Sequence, residues 1–172
     1  MPAPEDLRIE RLEPQDVDVL RPLWLALRDH HGSLTEDWGP VREDEDSWAR
    51  RRRDYASWLT EPDAFCLVAR RAEDGPALGY ALVTVNSGSP TWAAVERFGY
   101  LETLSVLPSE RGRGVGTALL DAVQAHLSAL GVRRMELTMV ARNAEARRFY
   151  ERAGFDVRFV TMVRDASPPA GG

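Results

Sequence analysis

The sequence contains no lysine, a single cysteine and no long apolar run, and each absence narrows what the protein can be. Cys66 alone cannot build an internal disulfide framework or a thiolate metal cluster. No stretch approaches the roughly 18 uncharged apolar residues that a membrane helix needs. The N-terminal segment MPAPEDLRIE is acidic and does not resemble a secretory signal. We therefore expect a cytoplasmic protein with no membrane partner and no metal site.

The charges are distributed unevenly along the chain. All 22 cationic side chains are arginines, and they face 27 acidic ones, which gives a formal net charge of −5. Residues 1–96 carry 11 arginines and 19 acids, whereas residues 97–172 carry 11 arginines and 8 acids. A net acidic chain lacks the basic surface that general nucleic-acid binding requires. The distribution allows an anionic ligand in the C-terminal half and a cationic one in the N-terminal half.

The pattern of apolar residues predicts one mixed α/β domain over residues 1–164, followed by a disordered tail at 165–172. The helix at 13–32 should break at Pro22 and end at Gly32, and residues 33–42 should form a loop. The other helices are predicted at 43–59, 114–130 and 143–153. Strands are predicted at 7–12, 65–71, 77–85, 95–108, 134–140 and 155–163.

The most informative segment is LETLSVLPSERGRGVGTALL, at residues 101–120. A predicted strand ends there, a turn carries Gly112, Gly114 and Gly116, and a strongly amphipathic helix begins at once. Such a turn can direct several backbone N–H groups at one point, at the positive end of the helix dipole, and so bind a phosphate or pyrophosphate. Glycine lets the ligand approach the backbone closely, and neighbouring arginines can add contacts to the same anion.

Two common nucleotide-binding motifs do not fit this turn. The Walker motif requires a lysine, and the chain has none. The dinucleotide fingerprint GxGxxG differs from the spacing Gly112-x-Gly114-x-Gly116. The spacing alone leaves open a phosphate site of another kind and a tight turn without a ligand.

The hexapeptide RGRGVG at residues 111–116 resembles the (Q/R)xxGx(G/A) signature of the GNAT superfamily of N-acetyltransferases. The preceding LETLSVLP and the downstream NAEARRFYERAGF are similar to that family's other motifs, in the same order. The resemblance covers residues 95–158, and over residues 1–94 it rests only on the order of elements. It implies a GNAT-like acyltransferase fold, in which helices flank both faces of a mixed, mostly antiparallel sheet.

The resemblance also implies acetyl-CoA as co-substrate. The pantetheine arm would run along the backbone of Leu104, Ser105 and Val106, although the two apolar side chains also suit ordinary core packing. Asn143 matches a family asparagine near the cofactor, and it also suits a helix N-cap. The family places the pyrophosphate on the turn and helix start, here at Arg111, Gly112, Arg113, Gly114, Val115, Gly116 and Thr117.

Tyr150 matches the family tyrosine that protonates the departing CoA thiolate, although it also suits packing beside Phe149. A phenol with a pKa near 10 can supply that proton. The best candidate for the base that deprotonates the amine is Glu102, because strand alternation puts it on the face of Leu104. The other candidates are His30, His31 and water. Some family members use a glutamate on the fifth strand, where this chain has Thr138.

The expected reaction is direct attack of a primary amine, on a small molecule or peptide, on the acetyl group. A non-catalytic acyl-CoA sensor and a transferase of longer acyl chains are the alternatives. Six acids at residues 36–46, with Trp38 among them, suit a cationic acceptor. They equally suit a solvated loop that the arginines of residues 49–54 neutralise. Only one closing strand is predicted after Tyr150, so the sheet edge is either completed by the partner chain of a homodimer or left open.

Overall fold

The computed structural model describes residues 6–88, 91, 93 and 95–164. Five strands form one sheet in the order of the sequence. The first four strands pair with one another in antiparallel fashion, and the fifth pairs with the fourth in parallel. The predicted mixed, mostly antiparallel sheet is therefore confirmed. The strands are β1 (Arg8–Arg11), β2 (Phe65–Arg70), β3 (Gly79–Ser87), β4 (Arg97–Val106) and β5 (Met135–Leu137).

Four α-helices flank the sheet on both faces, as predicted. Short 3₁₀ helices at Pro14–Leu20, Glu36–Trp38 and Pro108–Glu110 lie before or between them. One hydrophobic core joins α3 to one face of the sheet, and a second joins α1 and α2 to the other face. The helices are α1 (Arg21–Leu34), α2 (Asp44–Trp58), α3 (Val115–Ala129) and α4 (Ala144–Arg152).

Strands β2 and β3 form the centre of the sheet because their side chains are apolar in both directions. Successive side chains of β3 point alternately into one hydrophobic core and the other. Ala81 and Val83 belong to the α3 core, whereas Tyr80 and Leu82 belong to the α1–α2 core. Burial on both faces explains the nearly continuous apolar runs in these two strands.

A β-bulge interrupts the pairing of β3 with β4. Leu82 pairs with Thr103, but the next residue of β3, Val83, pairs with Leu101. Glu102 is therefore the extra residue of β4, and the pleat changes phase there. Parallel pairing with β5 ends at Leu101, directly before the bulge. Beyond the bulge, no strand of the described residues pairs with β4 on the β5 side, and this edge is called open below.

The short β5 corrects the prediction of a seven-residue strand at 134–140. Only Met135, Glu136 and Leu137 pair with β4, because the bulge ends the regular edge that a longer strand would follow. The helical region after β1 is divided in two, as predicted, and Pro22 lies in the first turn of the second piece, which begins at Arg21. A proline fits the first turn of a helix, where its missing N–H has no partner to lose.

Gly32 does not end α1, which continues to Leu34. A side chain is nevertheless excluded at this position, because a Cβ at Gly32 would lie 2.4 Å from Cγ1 of Val41. The glycine therefore lets the segment before α2 pack directly on α1. The predicted loop begins after Leu34 and includes a 3₁₀ turn.

The predicted last strand at 155–163 is wrong. None of these residues is in a strand, and Val160 and Met162 are 80% and 92% exposed. An alternating apolar pattern permits a strand but does not by itself form one, because a strand also requires pairing with a neighbour, and no described strand pairs with residues 155–163. The predicted tail at 165–172 lies outside the described residues. Within the described part, no helix has the length and apolar character needed to cross a membrane.

Candidate functional site

The glycine turn, residues 111–117, connects the 3₁₀ helix after β4 to α3. Gly112 and Gly114 have φ angles of +73° and +84°, which only glycine adopts readily. A Cβ at Gly112 would have no heavy atom within 4 Å, so the space above this backbone is open. Val115 is buried in the α3 core, whereas Gly112 is exposed and Gly114 and Gly116 are half-buried. The turn therefore presents backbone to solvent at the start of a helix.

The N-terminus of α3 lacks the groups that usually compensate a helix start. Gly114 provides no side-chain cap, and the first turn contains no acidic residue. The first helical bond runs from Ala118 N–H to the Gly114 carbonyl, so the preceding amides have no partner within the helix. By contrast, three acids lie in the first turn of α2, and Asn143 caps α4. The turn is thus suited to an anion with several oxygens, such as a pyrophosphate.

The two arginines of the turn, Arg111 and Arg113, are exposed. Arg113 lies 3.9 Å from Glu110, whose carboxylate accepts a 2.8 Å hydrogen bond from Arg71. This bond to Arg71 is the main reason why the pKa of Glu110 is lowered. Because Arg71 already holds Glu110, the Arg113 guanidinium remains available to an incoming anion.

The open edge of β4 lies next to this turn. The Leu107 N–H bonds to the Leu78 carbonyl, towards β3, so alternation points the peptide groups of Ser105 towards β3 as well. The peptide groups of Leu104 and Val106 then point to the edge that β5 leaves open. The Ser105 hydroxyl is buried and donates to the Leu23 carbonyl at 2.9 Å. Of the three residues predicted for pantetheine, Leu104 and Val106 therefore have the suitable backbone direction, and Ser105 does not.

Helix α4 closes the site from the side of α3. A Cβ at Gly116 would lie 3.5 Å from Phe149 and 3.7 Å from Val106, so the end of β4, the start of α3 and α4 converge there. Tyr150 packs between Phe149 and Phe155, with ring centroids at 5.1 and 5.5 Å. Its hydroxyl has no hydrogen-bond partner among the described residues. Both parts of the prediction for Tyr150, aromatic packing and a phenol beside the expected donor site, are compatible with this arrangement.

Burial raises the pKa of Tyr150 to about 12. The phenol is therefore fully protonated at neutral pH and can act only as an acid. A thiolate in the same apolar surroundings is also a stronger base than in water, since desolvation disfavours the charged form. The same effect is visible within this chain, where burial raises the pKa of the Cys66 thiol.

The bulge brings Glu102 to the α1–α2 face of the sheet, where its carboxylate accepts a 2.8 Å hydrogen bond from Thr84. Leu104 packs against the α3 core, on the opposite face. The argument that the two residues share a face is therefore wrong, because the bulge changes the alternation between them. Burial raises the pKa of Glu102, and the Thr84 hydrogen bond opposes this shift.

The predicted role of Asn143 as a helix cap is confirmed. Its Oδ1 accepts a 3.0 Å bond from the Ala146 amide, and its Nδ2 lies 3.4 Å from Nε2 of His30. This contact joins the start of α4 to α1. His31, on the next position of α1, has a lowered pKa, mainly because of burial, so it is neutral at pH 7.

The acidic segment 36–46 is largely neutralised by arginines. Arg142 pairs with Asp37, and Arg28 donates to Asp44 at 2.8 Å. Asp46 accepts bonds from two further arginines of the same region. These pairs support the interpretation of a solvated, charge-balanced loop. Among the residues that the structure describes, no group of three or more histidine, cysteine or acidic side chains could hold a metal ion.

Sequence reasoning missed two residues on the α1–α2 face. Thr84 was not singled out, since nothing in a β-branched strand residue indicates a carboxylate partner. Arg51 lies over the aromatic rings of Trp24, Tyr55 and Trp58. Its spacing of four and seven residues from the last two indicates a shared helix face, so a signal for Arg51 was present.

The sequence also matches a known family over most of its length. Residues 25–155 match the sequence model of the acetyltransferase (GNAT) family. The chain belongs to this family. The resemblance of the glycine turn and its flanking motifs is thereby confirmed, and the acetyltransferases of this family use acetyl-CoA as acyl donor.

Curated relatives of this GNAT chain carry acetyltransferase names. A mycothiol acetyltransferase of Propionibacterium freudenreichii subsp. shermanii is 33% identical over 156 residues, which cover 90% of this chain and 44% of that protein. An uncharacterised N-acetyltransferase of Mycobacterium bovis is 32% identical over 110 residues, 64% of each chain. The chain spans less than half the length of the mycothiol acetyltransferases that it matches.

Solved structures confirm the GNAT fold. The BH1408 protein of Bacillus halodurans, solved as a tetramutant, superposes with a TM-score of 0.76 at 21% identity, over 92% of this chain and 99% of that one. The aminoglycoside N-acetyltransferase AAC(6')-Iy, solved in complex with CoA, superposes with a TM-score of 0.68 at 22% identity, over 97% and 99% of the two chains.

Proposed function

We propose that this GNAT domain transfers an acetyl group from acetyl-CoA to a primary amine. The observation that carries the proposal is the adjacency of two features, the uncapped start of α3 and the open edge of β4. The first suits a pyrophosphate, and the second suits an arm that contains amide groups. The family match and the acetyltransferase names of the relatives support the same reaction.

The donor site would be formed by backbone more than by side chains. The pyrophosphate would bind to the backbone amides of Val115, Gly116 and Thr117, with the side chains of Arg111 and Arg113 beside it. The peptide groups of Leu104 and Val106 would pair with the pantetheine amides. When bound, acetyl-CoA supplies an activated thioester to the site.

Glu102 would accept the proton of the acceptor amine, directly or through a water molecule. An amine of lysine type has a pKa near 10.4, so its deprotonation at pH 7 costs about 4–5 kcal/mol. A carboxylate with a raised pKa is a better base than an exposed one, and burial provides this at Glu102. The neutral amine then forms the new C–N bond as the C–S bond breaks.

Tyr150 would donate its phenolic proton to the departing sulfur. A phenol that is packed against Phe149 and Phe155 retains this proton near neutral pH, because burial raises its pKa to about 12. The thiolate leaves the reaction as a thiol. The amine nitrogen would lose its second proton as the amide forms, and this proton, passed through water, would restore the phenol of Tyr150, so no covalent enzyme intermediate is needed. Cys66 is buried with a raised pKa and takes no part.

The deciding experiment combines two measurements. Isothermal calorimetry with CoA tests the donor site, and thiol release from acetyl-CoA across aminoglycosides, polyamines, amino acids and peptides tests turnover. Binding with no thiol release would favour an acyl-CoA sensor, and faster release from longer acyl donors would favour another acyltransferase. A protein that binds no CoA would contradict the whole proposal.

The expected homodimer, the cationic acceptor and the cytoplasmic location stay predictions. A homodimer would cover the exposed apolar residues between 155 and 163, and light scattering measures it directly. The ion pairs of segment 36–46 leave little uncompensated acid there for a cationic acceptor. The nature of the acceptor is therefore better sought on the face that carries Glu102.

A further inference from the structure

Arg51 is held by aromatic rings and not by a carboxylate. Its guanidinium carbon lies 4.1 Å from the ring centroid of Trp24 and 5.5 and 5.6 Å from those of Tyr55 and Trp58. The side chain is only 25% exposed. Its nearest carboxylate oxygen, on Asp54, is 3.9 Å away, which is too long for a hydrogen bond. The guanidinium makes no hydrogen bond within the described part of the chain.

The neighbouring arginines of α2 behave differently. Arg50 donates to Asp46 at 2.9 Å, and Arg52 donates to Asp18 at 2.7 and 3.0 Å. The protein itself therefore provides hydrogen-bond acceptors for both of these guanidinium groups. Arg51 is fixed in place by stacking while its planar set of N–H donors stays free for a partner from outside.

Arg51 belongs to the face of the sheet that carries Glu102. Tyr55, whose ring lies below the guanidinium, bonds through its hydroxyl to Thr103 at 2.9 Å, and Thr103 follows Glu102 in β4. Besides burial and the Thr84 bond, the pKa of Glu102 responds to Arg51, which lowers it, and to Glu61 and Asp54, which raise it. Arg51, Glu61 and Asp54 therefore contribute to the electrostatic environment of Glu102.

We propose that the acceptor is an amine that carries a carboxylate, of the α-amino acid type, and that Arg51 binds this carboxylate. The inference rests on the proposed function and names the substrate class of the same site. A guanidinium fork matches a carboxylate with two parallel hydrogen bonds, and the rings keep its plane fixed. The ammonium group of the same molecule would face Glu102, and Trp24 and Trp58 would provide apolar walls for its side chain.

The test uses acceptors that are matched in size and differ in charge, and rates are compared per molecule of neutral amine because the amides have a lower amine pKa. L-Phenylalanine, L-leucine and L-arginine are each compared with their amides, in which a neutral group of the same size replaces the carboxylate. The wild-type protein should acetylate the free acids preferentially. Arg51→Gln should lower kcat/KM for the acids by about 10- to 100-fold, the range for a lost charged hydrogen bond, and for the amides by less than about threefold.

Two variants control for a merely structural role of Arg51. Arg53→Gln makes the same change at an exposed position of α2 and should leave both classes of acceptor unaffected. Arg51→Lys keeps the charge and the contact with the rings but loses the fork, so its loss on acids should be intermediate. The comparison of acid with amide in each variant cancels differences in amine pKa and in the amount of folded protein.

The outcomes separate this inference from the proposed function. Acetylation of amides as fast as acids, or an equal loss on both in Arg51→Gln, would overturn the carboxylate site and leave the transferase intact. If no amine is acetylated, calorimetry of the free acids in the presence of CoA decides. Binding that Arg51→Gln abolishes would support the carboxylate site and overturn the transferase, and the absence of binding would overturn both.

Discussion

Glu102 and Leu104 are two residues apart on β4, yet their side chains lie on opposite faces of the sheet. The bulge at Glu102 sends its carboxylate to Thr84 on the α1–α2 face, while Leu104 packs towards α3. The same bulge ends the pairing with β5 at Leu101. One local irregularity therefore creates both a carboxylate on one face and an open strand edge beside it.

Gly112→Glu should abolish CoA binding. The substitution brings a bulky, negatively charged side chain into the open space above the turn, where the anion would bind. Calorimetry should show the loss of CoA affinity. Gly131→Glu is the matched control, because Gly131 has the same φ of +73° and the same open surroundings at the far end of α3. Equal loss of CoA binding in both variants would mean that backbone strain, and not the anion site, is responsible.

Tyr150→Phe should lower turnover by about 10²- to 10⁴-fold, the range for loss of a general acid. The CoA dissociation constant should change little, because the aromatic packing against Phe149 and Phe155 is retained. Thiol release and calorimetry measure the two quantities separately. An unchanged kcat would remove this tyrosine from the mechanism.

Thr84→Val should move the acid limb of the pH profile of kcat/KM to higher pH. Burial raises the pKa of Glu102, and the hydrogen bond from Thr84 is the largest effect that lowers it, so removing the hydroxyl should raise this pKa further. Glu102 must be deprotonated to accept a proton, so the rate falls as pH drops through its pKa. Glu102→Gln should remove this limb. Thr138→Val makes the same change at an exposed position and should leave the profile where it is.

Tyr55→Phe should reduce the free energy of unfolding by about 1–3 kcal/mol. The Tyr55 hydroxyl is buried and bonds to Tyr80 at 2.6 Å and Thr103 at 2.9 Å, so its removal leaves two buried hydroxyls short of a partner. Urea denaturation measures the change. Tyr100→Phe removes an exposed hydroxyl that bonds to Thr138, and it should cost less than about 0.5 kcal/mol. Similar losses in both variants would contradict the importance of burial.

The sequence predicted the turn and its two neighbouring elements well, because their signals are local. Glycines that need positive φ, such as Gly112 and Gly114, and the unbroken apolar stripe of α3 depend on residues close together in the chain. The cap formed by Asn143 is local as well. Such features are encoded within a few positions and need no knowledge of the tertiary structure.

The bulge in β4 and the conformation of residues 155–163 could not be predicted, because both depend on residues that are distant in the sequence. The phase change at Glu102 exists only relative to β3, and no residue type in LETLSV marks it. The pattern of residues 155–163 is that of a strand, but these residues pair with no strand of the described chain. The contact of Arg51 with Trp24 joins two helices, so its donors could not be known to lack a partner before the fold was known.

Glu102, the extra residue in β4, also determines how far β5 can pair along β4. Deleting Glu102 would restore ordinary alternation, because Leu101 already faces α3 and Thr103 already faces the other helices. No other side chain of the strand would need to turn over, and β5 could extend its ladder along the repaired edge. Deletion of this one residue should therefore close the strand edge on which the proposed pantetheine site depends.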